Sequence, residues 1–190
     1  DNFQAAADEP KSGKGSNDML SYSLPTILDD LALVASYTPN GDGGAASSTS
    51  YSATYTGIEG LTLAYGSGED NETTTTADAT AWKISYAYGP VTATATDLSY
   101  DHETSTSDRD MSSMAISYTL TDEISIGYGE EEITDGSASS EKAEFSGFDV
   151  SYTAGGMTLK AYAQEAENIS YSTTATEDQE IWAINATFAF

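Results

Sequence analysis

The chain has 190 residues, a formal net charge of −25 and no cysteine. Such an acidic chain lacks the basic surface that nucleic-acid binding needs, and without cysteine it has neither a disulfide framework nor a thiolate metal site. The charge and the 38% hydrophobic content could suggest disorder, but the aromatic residues (11%) recur at regular positions, which is not typical of a disordered chain.

Alternation of polar and apolar residues, with a period of two, predicts about eleven β-strands. Helical periodicity is absent, and no run of about 18 apolar residues predicts a transmembrane helix. A strand of about 9–11 tilted residues could still cross a bilayer. In chain order the predicted strands are centred on residues 20–24, 31–37, 50–56, 61–66, 81–88, 91–100, 112–120, 123–129, 148–153, 157–164 and 181–190.

The connections between these strands alternate in length. The short connections are residues 25–30, 56–60, 88–90, 120–123 and 153–156. The long connections are rich in polar and acidic residues, and they are residues 39–48, 67–79, 101–110, 130–145 and 165–178. Short turns at one end and long loops at the other are typical of an up-and-down outer-membrane barrel. A soluble sandwich with Greek-key crossings would mix these lengths less regularly.

One face of most strands is apolar, and tyrosine lies near one end of nearly every strand, as in the aromatic girdle of a membrane protein. The last strand places Trp182, Phe188 and Phe190 on its apolar face and ends on an aromatic residue. The strand at 91–100 is ambiguous. We expect Leu98 and Tyr100 to face outward there, because the alternative would place Asp97 in lipid at a cost in free energy.

The strand count also predicts the direction of the chain. The last strand follows a long loop, so it runs from the outside toward the periplasm, and about eleven strands place the start of the chain outside. Complete bacterial barrels have an even number of strands. We therefore expect this chain to be the C-terminal part of a larger barrel.

Three segments resemble Gram-negative general diffusion porins of the alphaproteobacterial type: the terminal ATFAF (186–190), the hairpin SYTAGGMTLKAYA (151–163) and the hairpin YTGIEGLTLAYG (55–66). The resemblance covers nearly the whole chain. It implies an all-β transmembrane antiparallel barrel of about sixteen strands, of which about eleven are here, in a homotrimer. Residues 18–190 would be the C-terminal strands of one porin domain, and residues 1–17 the tail of the third loop, folded into the pore.

The same resemblance implies the setting and the partners. The protein would lie in the outer membrane of a Gram-negative bacterium, in contact with lipid and lipopolysaccharide. The missing N-terminal strands would complete its barrel. The barrel-assembly machinery would recognise the terminal signal at Trp182, Phe188 and Phe190.

Two groups of residues are candidates for the pore. Alternation predicts six polar side chains that line the lumen, although each could equally be a hydrated wall residue without a role: Lys83, Asp97, Glu123, Asp149, Lys160 and Gln164. By resemblance, acidic groups on the constriction loop face basic groups on the wall. That loop would carry Asp1, Asp8, Glu9, Lys11 and Lys14, or else be an ordinary disordered linker.

Other chemistry is weakly indicated. Carboxylates in the long loops could bind Ca²⁺ or Mg²⁺ weakly, although a solvated acidic face explains them more simply. His102, the only histidine, lies in a predicted loop with no partner histidine or cysteine, and no nucleophile elbow occurs, so we expect neither a metal site nor catalysis. The sequence predicts a passive channel for small hydrophilic solutes and ions that prefers cations. The alternative is a surface adhesin or filament protein whose strands pair with a neighbour and form no pore.

Overall fold

A computed structural model describes residues 20–25, 28–39, 47–71, 76–136, 141–172 and 177–188. In these ranges no helix is long and apolar enough to cross a membrane. A short 3₁₀ turn lies at Ser105–Ser107. The strands are β1 (Leu20–Ser23), β2 (Leu31–Thr38), β3 (Ser48–Ile58), β4 (Leu61–Asn71), β5 (Thr76–Tyr88), β6 (Val91–His102), β7 (Arg109–Thr119), β8 (Ile124–Asp135), β9 (Ala143–Ala154), β10 (Met157–Glu167) and β11 (Gln179–Phe188).

The eleven strands of the described ranges belong to one antiparallel sheet, and each pairs with its neighbours in chain order. The predicted up-and-down topology is therefore confirmed. The short connections all lie at one end of the sheet, called here the short-turn end, and the longer ones lie at the opposite, long-loop end. The tight turns depend on glycine: Gly60 has φ of +77°, and a Cβ there would collide with the Ala87 carbonyl oxygen.

The strands extend further toward the long-loop end than the sequence predicted. β8 continues through Asp135 and β9 begins at Ala143, where Ile133 pairs with Ala143, although residues 130–145 were predicted to be a loop. β4, β5, β6, β7 and β10 are longer at this end as well. Backbone pairing does not need an apolar face, so the ladder continues where both faces are polar and the apolar alternation has ended.

One face of the sheet, the outer face, exposes large apolar side chains in three bands. Aliphatic side chains such as Ile84 and Ile184 form the middle band, and Ile184 is 70% exposed. An exposed apolar surface that extends across many strands is typical of a face that contacts a membrane or a partner. The aromatic band toward the short-turn end contains Tyr55, Tyr86, Tyr118, Tyr152 and Phe188. The band on the other side contains Tyr37, Tyr51, Tyr65, Trp82, Tyr128, Phe148 and Trp182.

The orientation predicted for β6 was wrong. Asp97 pairs with Trp82 and Ser112, so it lies on the outer face. Leu98 lies on the inner face, where it is only 8% exposed, and Tyr100 shares that face. The prediction assumed that an outward Asp97 would sit in hydrocarbon, but Trp82 places it level with an aromatic band, where a carboxylate costs less.

The assignment of faces is testable in the middle of β5. Changing Ile84 to Arg would place a charge between the two aromatic bands, and we expect it to lower the free energy of unfolding by about 2–4 kcal/mol in a lipid bilayer. The matched control is Ser85→Arg, one residue away on the inner face, which we expect to cost much less. Denaturant titrations of the protein folded in liposomes would measure both. Equal losses would contradict the assignment.

Candidate pore wall

Much of the inner face of the sheet is built from hydroxyl and small side chains. Hydroxyl pairs link neighbouring strands on this face: Ser85 with Thr94 at 3.0 Å, and Thr153 with Thr158 at 3.0 Å. These groups bond to one another and can also bond to water, so they suit a face that borders water.

The inner face is concave. A groove of about 690 Å³ runs along it, and its lining extends from Lys83 on β5 to Asn185 on β11. Side chains on seven successive strands can share one groove only if the sheet curves around it. The polar face therefore surrounds a space, while the apolar face points outward.

The structure brings four of the predicted pore-lining residues into this groove: Lys83, Asp149, Lys160 and Gln164. The amine of Lys160 and a carboxylate oxygen of Asp149 are 4.0 Å apart, and both side chains remain partly exposed. Within the described ranges Lys83 forms no salt bridge, and it lies between Ala64 and Thr96.

The remaining predicted residues are elsewhere or outside the described ranges. Asp97 is on the outer face, as shown above. Glu123 is exposed in the turn between β7 and β8, where its carbonyl oxygen accepts a bond from the Thr153 amide at 2.8 Å. Trp182 and Phe188 are exposed on the outer face of β11. The constriction-loop residues Asp1, Asp8, Glu9, Lys11 and Lys14, and the terminal Phe190, lie outside the described residues.

Glycines on β8 and β9 make room for the polar side chains of the groove. A Cβ added at Gly127 would be 2.5 Å from Oδ1 of Asp149, so the Asp149 carboxylate lies over this glycine. A Cβ added at Gly147 would be 2.8 Å from Cγ of Gln164. The glycines thus let both side chains lie flat against the wall, which keeps the groove open.

Comparison with known proteins decides the family. The sequence profile of Gram-negative porins matches residues 2–143. The chain belongs to the Gram-negative porin family. It is an outer-membrane protein, and in such barrels the short turns are periplasmic and the long loops extracellular. A search of curated proteins finds no significant match.

Solved structures share the fold of this porin chain. It is similar to an anion-selective porin from Comamonas acidovorans (TM-score 0.67, 10% identity, 88% of this chain and 55% of the other). It is also similar to OccK10 from Pseudomonas aeruginosa (TM-score 0.67, 12% identity, 90% of this chain and 63% of the other). A third similar structure is the loop L8 deletion variant of OmpT from Vibrio cholerae (TM-score 0.60, 16% identity, 89% of this chain and 62% of the other). The chain thus spans about three fifths of the length of these proteins.

At the extracellular end of the porin wall, sequence reasoning missed a small core on the inner face. Ile133, Ala143, Phe145 and Ala166 are buried there. Nearby, Arg109, the only arginine of the chain, pairs with Asp135 at 3.1 Å. The available signal was the apolar residues at alternating positions within an acidic segment, namely Ile133, Ala143 and Phe145.

The outer face carries rows of carboxylates beyond the aromatic band. Asp78 lies directly opposite Glu69 and Asp101, and Glu144 lies opposite Glu132 and Glu167. Like charges in such positions are destabilising. Lys142 relieves one row because its amine binds Glu132 at 2.6 Å and Glu144 at 2.7 Å. These two carboxylates raise the pKa of Lys142 well above its usual range.

The predicted weak Ca²⁺ or Mg²⁺ binding stays a prediction. Across the described ranges, no three histidine, cysteine or acidic side chains come together in a way that could hold a metal ion. His102 was predicted to lie in a loop, but it is the last residue of β6. Its ring stacks on Tyr100 with centroids 6.4 Å apart, and its Nδ1 accepts a bond from the Thr104 amide at 3.0 Å.

The role of Gly127 can be tested by a single methyl group. Gly127→Ala should displace the Asp149 carboxylate from the wall and change the conductance and ion selectivity of the reconstituted full-length porin. Gly66→Ala is the control on the same face, because its Cβ would meet only the Tyr51 carbonyl oxygen, at 3.9 Å. Single-channel recordings in planar bilayers would measure both. If the two variants behaved alike, the packing of Asp149 over Gly127 would not shape the pore.

Proposed function

We propose that the complete protein is a passive diffusion channel for small hydrophilic solutes and ions across the outer membrane. The observation that carries this proposal is the contrast between the two faces of one curved sheet. The concave face has hydroxyls, glycines and partly exposed charges around a groove of about 690 Å³, while the convex face exposes Ile84, Trp182 and Ile184 to lipid. The same contrast and the family favour a porin over an adhesin or filament protein. No enzymatic activity is proposed.

We also propose that further strands complete the barrel, giving about sixteen in total, and that the barrels assemble as homotrimers. Within the described residues, β1 and β11 each pair with one neighbour only, so two sheet edges are open. An open edge within a bilayer would leave backbone groups without partners, which supports the presence of additional strands. The alphaproteobacterial type, lipopolysaccharide contacts and delivery by the barrel-assembly machinery belong to the same proposal.

We propose that the pore prefers cations because of negative charge at its mouth, not because of charge on its wall. The charged side chains described on the inner face are balanced in sign: Lys83, Arg109, Lys160, Glu131, Asp135 and Asp149. The long-loop end carries more carboxylates than basic groups: Glu132, Glu144 and Glu167 lie beside Lys142 alone, and no basic residue pairs with Asp78 in the row of Glu69 and Asp101 within the described ranges. A negative mouth raises the local concentration of cations and lowers that of anions. The anion selectivity in the name of the Comamonas acidovorans porin belongs to that protein.

This source of selectivity predicts a dependence on ionic strength. The Debye length falls from about 10 Å in 0.1 M salt to about 3 Å in 1 M salt, so charges at the mouth act on passing ions mainly in dilute salt. Reversal potentials in planar bilayers should show a cation preference in dilute salt that weakens in concentrated salt.

A variant with Glu132→Gln, Glu144→Gln and Glu167→Gln should move the dilute-salt reversal potential toward zero. Two results would refute the proposal for the mouth: an anion-selective pore, or a preference that does not change with salt. A properly folded full-length protein that conducted no ions and passed no sugars in liposome-swelling assays would refute the channel itself.

A further inference from the structure

The small core at the extracellular mouth is covered from inside the barrel. Ile133 and Ala143 are 0% exposed, although they lie on the inner face of the wall. Further along the same face Ala115 is exposed, as expected for a wall that borders an open space. The side chains that cover the core are Ile169 and Tyr171, from the connection between β10 and β11.

The covering residues, 168–172, are called here the mouth segment. The core that they cover belongs to the inner faces of β8, β9 and β10, with Met111 of β7 and Ile181 of β11 packed beside it. A segment that packs on the concave face of β8, β9 and β10, and reaches Arg109 of β7, must lie within the circumference of the barrel. It therefore occupies part of the cross-section through which a solute would pass.

A network of hydrogen bonds centred on Asn168 fixes the mouth segment. The side-chain amide of Asn168 donates to the Lys142 carbonyl oxygen at 3.1 Å, and its Oδ1 accepts from the Ser172 amide at 3.0 Å. The Asn168 backbone amide donates to the Asp178 carboxylate at 3.0 Å. Asn168 is only 6% exposed and has φ of +53°, a conformation that asparagine tolerates well.

A second attachment joins the mouth segment to the wall through an aromatic ring. The Arg109 guanidinium lies 5.6 Å from the centre of the Tyr171 ring, within the range of a cation–π interaction. The same guanidinium pairs with the Asp135 carboxylate at 3.1 Å, and the side chains of Arg109 and Asp135 are mostly buried. The backbone of Tyr171 also accepts a bond from the Glu141 amide at 3.3 Å.

We propose that the mouth segment is a fixed constriction at the extracellular entrance of the pore and limits the size of the solutes that enter. The inference rests on the proposed channel function, and it is separate from the predicted constriction by residues 1–17. Ile169 and Tyr171 are its packing residues, Asn168 positions the backbone, and Arg109 holds the Tyr171 ring against the wall.

Thiol labelling tests the position of the segment without requiring conduction. The chain has no cysteine, so single substitutions can be read directly. In the full-length protein, Ala143→Cys should resist a water-soluble maleimide while Ala115→Cys reacts. Adding Tyr171→Ala and Ile169→Ala should make the cysteine at position 143 reactive. If Ala143→Cys reacted as fast as Ala115→Cys in the unaltered background, the proposed constriction would be wrong.

Conduction tests the consequence for solutes. The double variant Ile169→Ala/Tyr171→Ala should raise single-channel conductance and admit larger sugars in liposome-swelling assays, whereas Tyr171→Phe should resemble the unaltered protein because it keeps the ring. Heat-modifiable migration in gels would show that each variant is folded. If the double variant did not fold, Asn168→Ala would provide the same test.

The outcomes separate the two proposals. A folded double variant with unchanged conductance and an unchanged size limit would overturn the constriction while leaving the channel intact. Absence of conduction in every protein, including the unaltered one, would overturn the channel function. A constriction on solute passage would then fall with it, although the labelling would still report where the segment lies.

Discussion

The fold depends on one requirement: in a bilayer, every backbone amide and carbonyl must find its partner within the protein. Consecutive antiparallel pairing meets this requirement along the strands, as in the continuous ladder of β9 and β10 from Glu144 to Glu167. Pairing of this kind forces side chains to alternate between two faces. The polar interior and the apolar exterior follow from this alternation. Side chains on one face meet water and are polar, and side chains on the other face meet lipid and are apolar.

The two faces differ in the size of their side chains. The outer face needs bulk, so isoleucine, leucine and aromatic side chains fill it, while tyrosine and tryptophan mark the borders of the hydrocarbon. The inner face needs open volume, so serine, threonine and glycine dominate, and Asp149 lies against the wall over Gly127. At the extracellular end the outer face meets water, and the same ladder carries carboxylates there. The mouth segment packs on a local apolar core at the long-loop ends of β8, β9 and β10.

Much of this architecture could be predicted from the sequence, because lipid on one face and water on the other require apolar and polar residues to alternate along each strand. All eleven strands, their order and the inward positions of Lys83, Asp149, Lys160 and Gln164 follow from it. The prediction was wrong for Asp97, since alternation alone does not say how high a residue sits relative to the aromatic bands. It also shortened the strands near Asp135 and Ala143, since pairing above the lipid needs no apolar face. The contact of Tyr171 with Arg109 joins residues far apart in sequence, and no local pattern reports it.

The central claim is that one face of this sheet borders water and the other borders lipid. The most direct measurement is the labelling of single cysteines at two adjacent positions in the middle of β6, in the full-length protein within membranes. Thr94 lies on the inner face and Ala95 on the outer face. With a membrane-impermeant, water-soluble thiol reagent, Thr94→Cys should react and Ala95→Cys should be protected. Equal reactivity, or the reverse order, would contradict the account.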